Sequence, residues 1–344
     1  MNVGIALGSG SARGWAHIGV LEALAGMGIV PRVVAGTSIG AVVGAAYAAG
    51  RLSAVRDWAC AFSRTDVASY VNFTGLLQGL ISPGRLRQSL AEHVVPEDLV
   101  IEDMPRHFAC VATEMSLGRE QWFTRGSALD AVWASMALPA VLPPVRSKDS
   151  WYVDGGLVNP VPVSVCRALG ADVVIAVNLN GALLPGLARA GAQARDAREA
   201  KVAKVAAGPQ EAAMPAEKAG DETPQEGSIR NQLGRMARTV KDYAPDWLGW
   251  AKSDAEASKP VPPGILETVL ASVNIAQDRI TRSRMAGDPP DVLVTPRLGH
   301  LGLLDFHRAE EAIAEGRRAV EEMRPAIEFA VPDAEPWQGA PRQA

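Results

Sequence analysis

An α/β fold on a mainly parallel sheet is the architecture this sequence predicts, and three observations carry the prediction. Over about the first fifty residues, a short apolar run and a helical stretch alternate twice. Strand, crossover helix and strand within that length imply parallel neighbours, with helices covering the sheet. The alternation returns at residues 163–178 and again at 266–323. Finally, 48% of the 344 residues are apolar, enough for one substantial core or two modest ones.

Taken in order, residues 3–7 read as a short apolar strand, then a Gly/Ser-rich turn, then a helix over 15–27. Gly28 is placed to end that helix, and Pro31 follows at the distance of a stop signal. A second strand over 32–35 leads to a sharp turn at Ser38 and a small-residue helix through Ala49. Buried strands are expected at 107–113 and 151–153. A helix over 163–169, closed by Gly170, feeds a strand at 172–178. After about Gly181 the composition shifts to Ala, Gly, Glu, Lys and Pro, with hardly any large apolar residue as far as about Glu226. Such a segment buries too little surface to offset chain entropy. The reading is therefore an N-terminal domain over 1–180 and a low-complexity, partly mobile insertion over 181–260. A helix–strand–helix unit over 261–330 (helix 266–285, strand 292–295, helix 305–323) and a loose tail over 331–344 complete the chain.

Composition narrows the function classes. The net charge of −4 argues against a general preference for nucleic acid. Cys60, Cys110 and Cys166 show no metal-type spacing and suit reduced, mostly buried thiols. The five histidines are scattered, so neither a metal nor another cofactor is expected. The N-terminus carries no basic segment before its apolar run, and a cytoplasmic protein is expected. The uncharged run over 33–50 is barely long enough to span a bilayer. It is rich in Gly and Ala, however, and begins like a strand, so a buried strand–turn–helix is the better reading.

Three motifs carry chemistry. Gly36-Thr37-Ser38-Ile39-Gly40 joins a predicted strand to a predicted helix, the setting of a strained nucleophile with an exposed Oγ. The structural alternative is a plain tight turn. The second motif, Gly8-Ser9-Gly10-Ser11-Ala12-Arg13-Gly14, follows the first strand. Its glycine spacing does not give the dinucleotide pattern, and the second strand lacks an acidic residue at its end. Backbone donors for an oxyanion suit it better, because adjacent parallel strands bring this loop beside Ser38. The third is Asp154-Gly155-Gly156 after a predicted strand, either a turn former or a base for Ser38.

The set resembles the patatin-like phospholipase family, and most closely its bacterial RssA-like subgroup. The likeness rests on the two glycine-rich motifs, on Ala134-Ser135-Met136-Ala137-Leu138-Pro139 with Pro143-Pro144, and on Tyr152 to Pro160. It implies a three-layer α/β/α fold and a catalytic domain over 1–180. It also implies Ser38 as nucleophile, Asp154 as general base and amides around Gly10 and Ser11 as the oxyanion hole. Arg13 either orients that loop, attracts an anionic head group or is a solvated helix-start charge. Ser9 and Ser11 depart from the family's commoner glycine run, so a positive φ there would be strained by roughly 1 kcal/mol or more. The implied substrate is a lipid or other acyl ester. Two rivals stay open: a Ser–His–Asp hydrolase, and a regulatory binding protein on the same fold. The oligomeric state is left open. Residues 230–252, mixing basic residues with Trp247 and Trp250, suit either peripheral contact with the inner face of the cell membrane or ordinary packing. Residues 75–81 suit either the rim of an acyl pocket or packing.

Overall fold

The computed structural model describes residues 1–70, 82–147, 149–181 and 265–332. By contact the chain divides into one unit of residues 1–186 with 269–344, and a second of residues 187–268. The expectations for the insertion, for 75–81, for 230–252 and for the tail after 332 lie outside the described residues.

Among the described residues the sheet has eight strands: β1 Val3–Leu7, β2 Val33–Thr37, β3 His107–Glu114, β4 Arg119–Phe123, β5 Val145–Ser147, β6 Ser150–Asp154, β7 Val173–Val177 and β8 Val292–Val294. Their order is β5-β6-β3-β2-β1-β7-β8, with β4 pairing β3 off that path. From β3 through β8 every neighbour is parallel. Strands β4, β5 and β6 are antiparallel additions. The central strands β1 and β2 are buried at every position. Apolar runs without polar alternation are what strands covered on both faces require.

Side-chain alternation assigns the two faces. Ala6, Val33, Ala35, Ala109 and Val111 form one core with Val163, Val165 and Cys166 of helix α7 (Val163–Ala168). On the opposite face, helix α2 (Ile39–Ala48) comes close enough that a Cβ on Gly44 would contact Leu7, Val34 and Phe108. Helix α1 (Ala16–Gly26) lies on a long C-terminal helix, Ala309–Ala330. Helices α3 (Leu52–Ala61), α4 (Arg64–Tyr70), α5 (Pro83–His93) and α6 (Ala128–Ser135) fill the β2–β3 and β4–β5 connections. Helix α8 (Ile265–Gly287) precedes β8, and Ala309–Ala330 is therefore α9. Sheet between helical layers is the expected three-layer arrangement.

Gly28 and Gly170 end their helices at φ of 79° and 90°, as the sequence suggested. Some boundaries differ from expectation, and helix α9, expected from residue 305, begins at Ala309 after a short 3-10 turn over Phe306–Arg308. Strand β2 runs on through Thr37, because parallel pairing to β3 continues to Thr37 opposite Val111. Helix α9 continues beyond Met323 through Pro325, its apolar face still meeting the core at Ile327. The uncharged run over 33–50 divides into β2 and α2. Among the described residues, no helix is long and apolar enough to cross a membrane.

Candidate active site

Strand register brings Ser38 and Asp154 together. Thr37 sits opposite Val111, while Asp154, arriving on a strand of opposite direction, sits opposite Ala112. The ends of β2 and β6 thus meet at adjacent positions of β3. Ser38 follows at φ 58°, ψ −123°, a strained conformation for a residue with a Cβ. Its flanking glycines are needed for space. A Cβ on Gly36 would strike the Gly40 carbonyl, and one on Gly40 would strike the Leu7 and Gly8 carbonyls.

Ser38 Oγ donates to Asp154 Oδ2 at 2.5 Å, and Gly156 N–H donates to Asp154 Oδ1 at 2.7 Å. Both residues are buried. The Asp154 backbone is tied down as well, its N–H donating to Ala137 O at 2.9 Å and its carbonyl accepting from Thr113 Oγ1 at 2.8 Å. Burial raises the Asp154 carboxyl to about 6, partly offset by the bonds from Ser38 and Gly156. The Ser38 N–H donates to Ser135 Oγ at 2.9 Å, and that hydroxyl donates to Val111 O at 2.6 Å. Ser135 thereby braces the turn against β3. Its motif was visible in the sequence, but this bracing depends on a contact 97 residues apart.

The loop after β1 lies beside the elbow, since β1 and β2 are parallel neighbours. Gly8 N–H donates to Val177 O, Ser9 N–H to Pro160 O and Ala12 N–H to Leu303 O. Among the described residues, the amides of Gly10 and Ser11 have no such partner. They are the donors the loop has to offer, and Ser9 offers none. Of the two serines, only Ser11 takes a positive φ, 53°. Its hydroxyl donates to Leu303 O at 2.5 Å, and Ser9 Oγ donates to Gln277 Oε1 at 3.1 Å. Arg13 is not a solvated charge. It is 2% exposed, its Nε donating to Gly10 O at 3.1 Å and Nη2 reaching Asn274 Oδ1 at 3.4 Å. Burial lowers its guanidinium to about 10.

The five histidines stand apart from the pair. His17 is buried on α1 and donates through Nε2 to Gly8 O at 2.8 Å, and burial lowers it to about 4. His93 stacks on Trp58, and His300 pairs with Glu311. None of the five is hydrogen-bonded to Ser38 or Asp154 among the described residues. No group of three or more His, Cys, Asp or Glu able to hold a metal occurs there either.

Ser38 and Asp154 line one wall of a pocket beside the loop after β1. Its walls are overwhelmingly apolar, with Trp58, Phe62, Leu86, Leu90, Val141 and Leu142 prominent among them. Asn274 and Gln277 supply polar groups on the α8 side.

The sheet thus carries a buried serine–carboxylate pair, with the serine on a strained strand-to-helix turn. Comparison with known proteins gives the family. Residues 5–167 match the patatin-like phospholipase family. An uncharacterized NTE family protein of Mycobacterium tuberculosis (strain ATCC 25618 / H37Rv) is 31% identical, over 95% of this chain and 92% of that one. The chain belongs to the patatin-like phospholipase family. The matched relatives carry the NTE family name and do not single out the RssA-like subgroup. Lysophospholipase NTE1 of Pyricularia oryzae is 35% identical over 52% of this chain, a stretch equal to 12% of that much longer protein. Among solved structures, VipD from Legionella pneumophila superposes with a TM-score of 0.35 at 12% identity, over 97% of this chain and 77% of that one.

Proposed function

We propose that this protein is a serine acyl hydrolase that cleaves fatty-acyl esters of phospholipids or lysophospholipids, with Ser38 as nucleophile and Asp154 as its base. One observation carries the reading: Ser38 Oγ lies 2.5 Å from Asp154 Oδ2 at the wall of a mainly apolar pocket. The lipid class is supported by the family and by relatives named lysophospholipases.

In the first step Oγ attacks the ester carbonyl carbon while its proton passes to Asp154 Oδ2. Negative charge then develops on the former carbonyl oxygen. The amides of Gly10 and Ser11 are the donors for it, reinforced by the positive end of α2 just beyond Ser38. Collapse breaks the bond to the leaving alcohol, which takes the proton back from Asp154 and leaves an acyl-Ser38 ester. Water, deprotonated by Asp154, attacks that ester and releases the fatty acid. A base worth about 10²–10⁴-fold and an oxyanion donor worth about 10²–10³-fold are the contributions asked of these groups. A dyad rather than a triad is supported by the direct bond from Ser38 Oγ to Asp154 Oδ2 and by the bond from Gly156 N–H that engages the other Asp154 oxygen.

Lipid-class profiling tests the proposal. Purified wild type and Ser38→Ala are incubated with total lipid extract and the products followed by mass spectrometry. Free fatty acid released from phospholipid or lysophospholipid by wild type alone is the expected result. Equal release by both proteins would overturn it.

A further inference from the structure

The two serines that depart from the family's glycine run are both bonded by the C-terminal segment, at Gln277 and Leu303. That segment lies outside the residues matched to the family. We infer that Gln277 is a positioning residue for the loop that offers the oxyanion donors, acting through Ser9. The inference rests on the hydrolase reading of Ser38.

Gln277 is 3% exposed on α8. A buried amide is costly unless bonded, so packing alone would be served better by Leu or Met. Its Oε1 accepts from Ser9 Oγ and from Asn180 Nδ2, each at 3.1 Å. Its Nε2 lies against Gly156, where an added Cβ would strike it. The N–H of that same Gly156 holds Asp154 Oδ1. One side chain therefore touches the residue before Gly10 and the turn after Asp154, linking the two halves of the site.

Asn274 lies three residues earlier, on the same face of α8. It accepts from Arg13, whose Nε holds the Gly10 carbonyl. That carbonyl and the Ser11 N–H belong to one trans peptide and point in opposite directions. Fixing the carbonyl therefore fixes where the Ser11 donor aims. Helix α8 thus grips the loop at Ser9 through Gln277 and at Arg13 through Asn274.

A double-mutant cycle on a soluble short-chain ester tests this, with a trifluoromethyl ketone as a second probe. The ketone adds reversibly to a serine to form a hemiketal oxyanion. Ser9→Ala and Gln277→Met are each expected to lower kcat about tenfold, equivalent to about 1.36 kcal/mol, with KM within about twofold. The pair together should lose no more than either alone. Ketone inhibition should weaken by the same factor, a change that a general loss of fold would not single out. Losses that multiply to about a hundredfold, or a change confined to KM, would overturn the inference. Should Gln277→Met fail to fold, Ser9→Ala decides with the same two readouts, and unchanged kcat and ketone binding would overturn it. Wild type that neither hydrolyses esters nor reacts with a fluorophosphonate would instead sink the hydrolase reading itself.

Discussion

Two strand-to-helix connections lie side by side at the ends of β1 and β2, and they are held in place by different means. The β2–α2 turn packs Gly36 and Gly40 against carbonyl groups and is braced by the bond from Ser38 N–H to Ser135 Oγ. The loop after β1 is held by backbone bonds from Gly8, Ser9 and Ala12 and, in addition, by side chains: Ser9 to Gln277, Ser11 to Leu303, and Arg13 to Gly10 and Asn274. The tightest approach to backbone belongs to the first connection, where an added Cβ would lie 2.4 Å from backbone at Gly36 and 2.1 Å at Gly40, against 2.7 Å at Gly8 of the loop. The other has hydrogen bonds that can be removed singly. The turn at Ser38 is thus limited chiefly by backbone sterics, and the loop beside it is tied in addition by contacts made up to 292 residues away in the chain.

The largest effects should come from the pair itself. Ser38→Ala and Asp154→Asn are expected to lower kcat by about 10³-fold or more while circular dichroism shows an intact fold. A variant keeping a tenth of wild-type turnover would break the dyad half of the comparison.

Next is Gly40→Ala. Its Cβ has backbone on the far side, so destabilisation of about 3 kcal/mol or more is expected in denaturant titration. Ser11→Gly should shift stability by no more than about 1 kcal/mol, since relief of positive φ offsets the lost bond to Leu303. Similar costs at the two sites would erase the contrast between steric and hydrogen-bonded support.

A pH profile probes the base. Asp154 accepts a proton only when ionised, so log(kcat/KM) should fall with unit slope as pH drops below about 6 and level off above it. An acid limb centred near the ordinary carboxylate value would contradict the burial argument.

The smaller counterpart is a gain in stability. The folded state raises the Asp154 carboxyl from 3.8 to about 6, so the fold favours its protonated form. Ionisation therefore costs stability progressively between those values, and the full cost is present above about 6. Asp154→Asn should be the more stable protein at pH 8, by about 1–3 kcal/mol, with the difference fading below pH 4. Thermal melts at the two pH values check the sign.

What the sequence made legible follows the same division. Ser38 with Gly36 and Gly40 was readable because the constraints that shape the elbow are local. The α/β order and the pairing of β1 with β2 were readable from uninterrupted apolar runs. Arg13 stayed ambiguous, because its burial depends on elements distant in the chain. Ser9 belongs to the loop read as supplying oxyanion donors around Gly10 and Ser11, and its own amide is committed to Pro160 O. Gln277 and Asn274 gave no signal: polar residues three apart on a helix ordinarily face water. Helices α3 to α6 and strands β4 and β5 were not anticipated either. Strands β4 and β5 are polar and only partly buried, and α3 and α6 are short helices without a glycine or proline stop directly behind them.

The most direct test of the central claim is the site of reaction with a long-chain fluorophosphonate. Peptide mapping of labelled, folded protein should place the adduct on Ser38, with labelling slowed at least about 10²-fold in Asp154→Asn. An adduct on another residue, or none at all, would contradict the account.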